Sequence, residues 1–108
     1  MYSLMKTLYL DCFAGISGDM LVGALFELAP NQDRFKAELT KMTGLSPNDY
    51  DISFEKGSKN GITGTHFRVH THEHHSHRGL KEIEDIIAAS GFSARIKREV
   101  FRAFALLA

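Results

Sequence analysis

The chain has 108 residues, enough for one domain with a core of its own, and 44% hydrophobic with 24% charged residues is the make-up of an ordinary globular protein. Thirteen basic against thirteen acidic side chains give zero formal charge, which argues against a nucleic-acid binder that works by counterion release. The lone cysteine, Cys12, excludes an intrachain disulfide and fits a reducing compartment. No apolar run reaches the length of a bilayer, and Met1 to Leu10 lacks a signal-peptide pattern because Lys6 precedes too short an apolar stretch, so a cytoplasmic protein is expected.

In chain order, Thr7 to Phe13 (TLYLDCF) is a short, nearly continuous apolar run and predicts a central strand buried on both faces, with Cys12 as a small buried residue within it. The turn AGIS follows. Ser17 then stands where a helix N-cap is needed, and Asp19 falls in the first turn, where the helix dipole favours a carboxylate. Met20, Leu21, Ala24, Leu25 and Leu28 form one helical stripe, and Pro30 ends that helix. A second helix is expected from about Asp33 to Met42, with Phe35, Leu39 and Met42 inward and Gly44 as its C-cap.

Tyr50, Ile52 and Phe54 alternate with Asp51, Ser53 and Glu55, the pattern of a half-buried strand. Asn60-Gly61 is a strong turn signal, and a partner strand leads from Ile62 through Val69. Two helices follow. Leu80, Ile83, Ile86 and Ile87 make the inward stripe of the first, which Gly91 ends. Ser93 caps the second, whose inner face is Ile96, Val100, Phe104 and Leu107 and whose outer, solvated face carries Arg95, Arg98 and Arg102. The predicted fold is α/β in two layers, order β-α-α-β-β-α-α, with a small mixed sheet whose hairpin is covered by helices. The last helix stops at Ala108 while still apolar and without a cap, which predicts that the chain is the N-terminal piece of something longer.

All six histidines lie between His66 and His77, in HFRVHTHEHHSH. Imidazole is the commonest metal-binding side chain and suits zinc, copper, iron and nickel, so a transition metal is the first partner to consider. The competing reading is a solvated His-rich loop that binds adventitious metal weakly. If the segment is a strand from Thr65 onward, His66, Arg68, His70, His72 and His74 share one face and Phe67 and Val69 the other. Without a second cysteine or a Cys-x-x-Cys spacing this is no closed structural zinc site. A labile or transfer site fits better, built from His66, His70, His72, His74, His75 and His77, with residues 70–78 as a His-rich metal-binding loop.

A second candidate site is DCFAGISGDM. A glycine-bearing loop between a strand and a helix N-terminus presents backbone N–H groups to an anion, Gly15 and Gly18 allow close approach to a phosphate, and Ser17 can donate its hydroxyl. Asp11 and Asp19 flank the loop as a carboxylate pair suited to Mg²⁺ or Mn²⁺. The pattern is neither a P-loop nor the dinucleotide fingerprint. On the bland reading, Ser17 and Asp19 are helix caps and Asp11 a turn former.

The segment LYLDCFAGISGDMLVGAL, followed by KNGITGT, the histidine tract and RGLKEIEDIIAASG, closely resembles the opening of the LarC family of nickel-insertion proteins. The match runs along essentially the whole chain. The resemblance implies a nickel chelatase, or cyclometallase, that uses CTP with Mn²⁺ or Mg²⁺ to insert Ni²⁺ into a pyridinium bis-thiocarboxylate mononucleotide. The product is the nickel pincer cofactor of lactate racemase, the accepting partner. Under this reading the histidines gather nickel, Gly15, Ser17 and Gly18 anchor CTP or the substrate phosphate, and Asp11 and Asp19 act in catalysis. A typical member continues through a further His- and Glu-containing segment and a C-terminal metal-transfer domain, so residues 1–108 are not expected to suffice alone. Two other readings stay open, a nickel store or chaperone and a nucleotide hydrolase with incidental histidines, as does a homo-oligomer.

Overall fold

The computed structural model describes residues 4–72 and 77–108. Its elements are α1 (Gly18–Leu28), α2 (Gln32–Leu39), β1 (Tyr50–Lys59), β2 (Ile62–Thr71), α3 (Leu80–Ala89) and α4 (Ala94–Leu107). The two strands form one antiparallel ribbon with register Tyr50↔Thr71 through Lys59↔Ile62. The connecting pair Asn60 (φ 53°) and Gly61 (φ 79°) has both residues left-handed, the type I′ geometry that matches the twist of the flanking strands. That turn fixes the register, and the register puts Tyr50, Ile52 and Phe54 on the same face as Phe67 and Val69.

Helices α1 and α2 cover this apolar face through an aromatic cluster. Phe26 of α1 stacks on Phe54 of β1 with centroids 4.0 Å apart and meets Phe35 of α2 edge-on at 5.6 Å, while Phe67 lies tilted against Phe54 at 5.1 Å. Helix α1 reaches the ribbon because Gly23 has no side chain: a Cβ there would collide with the Thr65 carbonyl oxygen. At the C-terminal end of α1, Glu27 accepts from Thr65 Oγ1 (2.7 Å) and from Lys56 Nζ (3.0 Å), tying the helix to both strands.

Beyond α2, the Lys41–Gly44 segment ties the first half of the chain to α3. Thr43 Oγ1 donates to the Ala89 carbonyl (2.8 Å), the Gly91 amide donates to Lys41 (2.7 Å), and Gly44 lies against the Ile86 backbone. Lys97 of α4 donates to the Ala88 carbonyl (2.9 Å), satisfying an orphan acceptor at the end of α3. An open apolar cavity of about 460 Å³ remains beside the Tyr50–Thr71 end of the ribbon, lined in part by Leu39, Met42, Ile52, Val69 and Phe92.

The helix-covered hairpin and its α/β class are as expected, with four differences. Thr7 to Phe13 forms no strand: the segment is without regular structure and exposed, Cys12 included, so the sheet is the antiparallel hairpin alone among the described residues. An apolar run states a demand for burial, not a partner, and at β2 it is α1 that comes down through Gly23 on the Thr65 and Phe67 backbone. The buried face of α1 is also rotated. Gly23 and Phe26 are buried and Leu21, Val22 and Leu25 half-buried, whereas Met20, Ala24 and Leu28 are exposed. Close packing on the ribbon selects the glycine face over the more apolar one.

Helix α2 stops at Leu39 with Thr40, not Gly44, as its C-cap, because the Thr40 amide and hydroxyl both donate to the Ala37 carbonyl. In α4, Ser93 caps as expected, accepting from the Ile96 amide, but Lys97, Val100 and Phe101 are half-buried while Ile96, Phe104 and Leu107 are exposed. Among the described residues no helix is long and apolar enough to cross a membrane.

Candidate functional site

The alternation expected of the histidine tract is present from His66 to His70. His66, Arg68 and His70 stand opposite Glu55, Ser53 and Asp51 on the ribbon face away from the aromatic cluster. His66 and His70 therefore belong to β2 and not to a loop, and His72 follows the strand directly. The ladder is prolonged by the His72 amide, which donates to the Asp49 carbonyl at 2.8 Å. His77 is exposed in left-handed backbone (φ 47°) before α3. His74 and His75, with Glu73 and Ser76, lie outside the described residues. Among the described residues no group of three or more His, Cys, Asp or Glu is close enough to hold one metal ion. Same-face residues on a strand stand about 6.8 Å apart, so the row offers ligands in series rather than a closed cage.

The loop before α1 is exposed throughout. Gly15 (φ 84°) donates its amide to the Cys12 carbonyl at 2.9 Å and closes a tight turn, and Ser17 precedes the helix in extended backbone. Ser17 does not cap α1 with its side chain. Its hydroxyl donates instead to the Asp19 carboxylate. That hydrogen bond, and then the Met20 amide, hold the Asp19 carboxyl below the usual carboxylate range, with a smaller effect of charge on the nearby His66. The carboxylate thus occupies the position at the helix N-terminus that an anion would take, and a phosphate can approach only with a cation that screens Asp19. Asp19, which lines a cleft, has the right chemistry for a hard divalent ion.

That cleft brings the two candidate segments together. It has a volume of about 320 Å³ and is lined by Asp19, Met20, Ala24 and Glu27 of α1 and by Gly64, Thr65, His66 and Phe67 of β2. The first histidine of the tract and the acidic residue of the loop thus line one cleft, although 46 residues separate them in sequence. Asp11 does not line it, so the expected carboxylate pair reduces there to Asp19 alone. Gly57, two residues beyond Glu55 on the opposite strand and on the same face, makes room for the His66 ring: a Cβ there would lie 2.6 Å from its Cδ2 and 2.8 Å from its Nε2.

Three residues outside the expected set have defined places. Glu27 lines the cleft and is held below the ordinary carboxylate range by the Thr65 hydroxyl first and Lys56 second. Asp51 receives a hydrogen bond from the His72 ring at 2.7 Å. Gly57 seats His66. The signal for the last two was in the Asn60-Gly61 turn, since a two-residue turn fixes which residues face the histidines.

Such a molecule is a helix-covered β-hairpin module that displays imidazoles along one strand and a carboxylate at an adjoining helix start. Residues 8–108 match the nickel insertion protein family, and the chain belongs to it. It is similar to proteins named pyridinium-3,5-bisthiocarboxylic acid mononucleotide nickel insertion protein from several organisms. That of Acetivibrio thermocellus is 43% identical over 103 residues, covering 87% of this chain and 25% of the relative. That of Desulfitobacterium hafniense (strain DSM 10664 / DCB-2) is 40% identical over 103 residues, with 95% and 25% covered. That of Geobacillus kaustophilus is 39% identical over 114 residues, with 96% and 27% covered. The chain thus spans about a quarter of the length of these relatives. No solved structure matches.

Proposed function

We propose that this chain supplies the nickel-gathering and substrate-phosphate end of a CTP-dependent nickel insertase acting on pyridinium-3,5-bisthiocarboxylic acid mononucleotide. Family membership and the relatives' names support nickel and the mononucleotide. The observation that carries the local assignment is the cleft shared by Asp19 and His66. In this reading His66, His70, His72, His74, His75 and His77 load Ni²⁺ as cargo, and the row hands it toward the cleft.

Asp19 holds the divalent ion, Mn²⁺ or Mg²⁺, which supplies charge compensation for the nucleotide phosphates when bound. The Gly15–Gly18 turn and the Ser17 hydroxyl would hold the phosphates beside that ion. Asp11 does not line the cleft and is left without an assigned step in this reading. The nickel pincer cofactor so formed serves lactate racemase.

The test is a chimera in which residues 1–108 replace the matching quarter of the Desulfitobacterium hafniense relative, assayed with Ni²⁺, CTP, Mn²⁺ and the mononucleotide. Nickel-containing product is expected from the chimera, with Asp19→Ala and His66→Ala each lowering the rate at least about tenfold, the size of a lost charge-stabilising contact. No product from the chimera sinks the proposal. Product unaffected by Asp19→Ala, with nickel still bound, leaves a nickel store. Turnover of CTP untouched when all six histidines are replaced leaves a nucleotide hydrolase.

A further inference from the structure

Among the described residues, the side-chain hydrogen bond made by a tract imidazole is that of His72 Nε2 with Asp51 Oδ2, at 2.7 Å. An ionised carboxylate can only accept, so Nε2 carries the proton and the Nδ1 lone pair is left free. Metal-ligating histidines characteristically give their other N–H to a carboxylate, which fixes the ring tautomer and orientation and raises the basicity of the ligating nitrogen. His72 is also held by its backbone, through its amide bond to the Asp49 carbonyl at 2.8 Å. Asp51 stands directly opposite His70 in the register, so one carboxylate sits between two neighbouring histidines of the same ribbon face.

We propose that Asp51 is a positioning residue for nickel loading: it presents His72 to Ni²⁺ through Nδ1, next to His70, and makes this pair the ordered entry point of the histidine row. The assignment rests on the nickel-loading reading above and adds to it a ligating atom and a residue that the tract itself does not contain. An isolated hydrogen-bonded pair this exposed (Asp51 71%, His72 52% accessible) contributes little to folding. Its substitution therefore leaves the hairpin in place and isolates the effect on metal.

Two measurements on the full chain test it. Long-range ¹H–¹⁵N correlation of the metal-free protein reads the tautomer: His72 is expected protonated on Nε2, and Asp51→Ala shifts it to a mixture of both tautomers. Titration with Ni²⁺ alone reads loading: Asp51→Ala weakens the tightest site by roughly 10–100-fold, as expected for loss of an outer-shell partner. Asp51→Glu restores most of it, and Asp51→Ala costs nothing more once His72 is replaced by Ala. Circular dichroism of Asp51→Ala and Asp51→Asn checks that both keep the fold.

An Nδ1-protonated His72 in the wild-type chain overturns the proposal. So does equal nickel affinity of wild type and Asp51→Ala, while the loading role of the histidines then stands. A wild-type chain that binds no nickel overturns the loading reading and this inference with it.

Discussion

Glu27 shows how much one side chain does at the junction of fold and site. Its carboxylate takes hydrogen bonds from Thr65 and Lys56, and both favour the charged form over the protonated one. The folded-state value is therefore depressed. The stabilisation is present above the unfolded value of about 4.3 and is lost as pH falls through the lower folded value. Asp19, lowered by the Ser17 hydroxyl, has the same sign. Glu27→Gln is expected to lower stability at pH 7, and the gap to wild type is expected to close progressively below about pH 4.3. Urea unfolding at pH 7, 5 and 3 checks this, and a gap that widens on acidification would show that Glu27 is not held by these donors. None of this is visible in the sequence, where Glu27 is an ordinary charged residue near the end of an amphipathic helix. Its partners come from two strands that only the hairpin brings together.

The elements themselves were legible where their signals are local. The period-two pattern of Tyr50, Ile52 and Phe54 and the Asn60-Gly61 turn specify the ribbon and its register, and from these the shared face of His66, Arg68 and His70 follows. Asp51 and Gly57 could have been placed opposite the histidines by the same count, yet their roles depend on side-chain reach across the strands. Helix α1 was found, but not the side it buries, because tertiary packing decides that. Gly23 carries no hydrophobic signal, yet only a residue without Cβ lets the helix touch the Thr65 backbone and lay Phe26 on Phe54. With Phe26 at 6% exposure between Phe54 and Phe35, the aromatic cluster is the joint between α1, α2 and the ribbon. Phe26→Ala is expected to cost about 3–5 kcal/mol, a large share of the roughly 5–15 kcal/mol of a domain this size. Thermal melts followed by circular dichroism would show the midpoint falling sharply, whereas an unchanged midpoint would mean the cluster carries no weight.

At the scale of the molecule, burial is thin for so many apolar residues. Among the described residues Phe26 and Ile87 are the hydrophobic side chains that are buried, and the radius of gyration is 16.3 Å against about 13 Å for a compact chain of this length. Much of the excess apolar surface lies in the segment that the sequence reads as a central strand, where Leu8, Tyr9 and Phe13 are 57%, 82% and 93% exposed. Contiguous exposed apolar surface of this kind marks either an interface or an aggregation hazard. Those side chains contribute little to the fold of residues 18–107, because they bury little against it. Replacing all three (Leu8→Ser, Tyr9→Ser and Phe13→Ser) is therefore expected to change unfolding free energy by no more than about 0.5 kcal/mol, the range of surface substitutions. Binding of a hydrophobic dye should fall in the same variant. A loss of several kcal/mol would mean that the segment packs on the hairpin after all, as the central strand that its composition predicts.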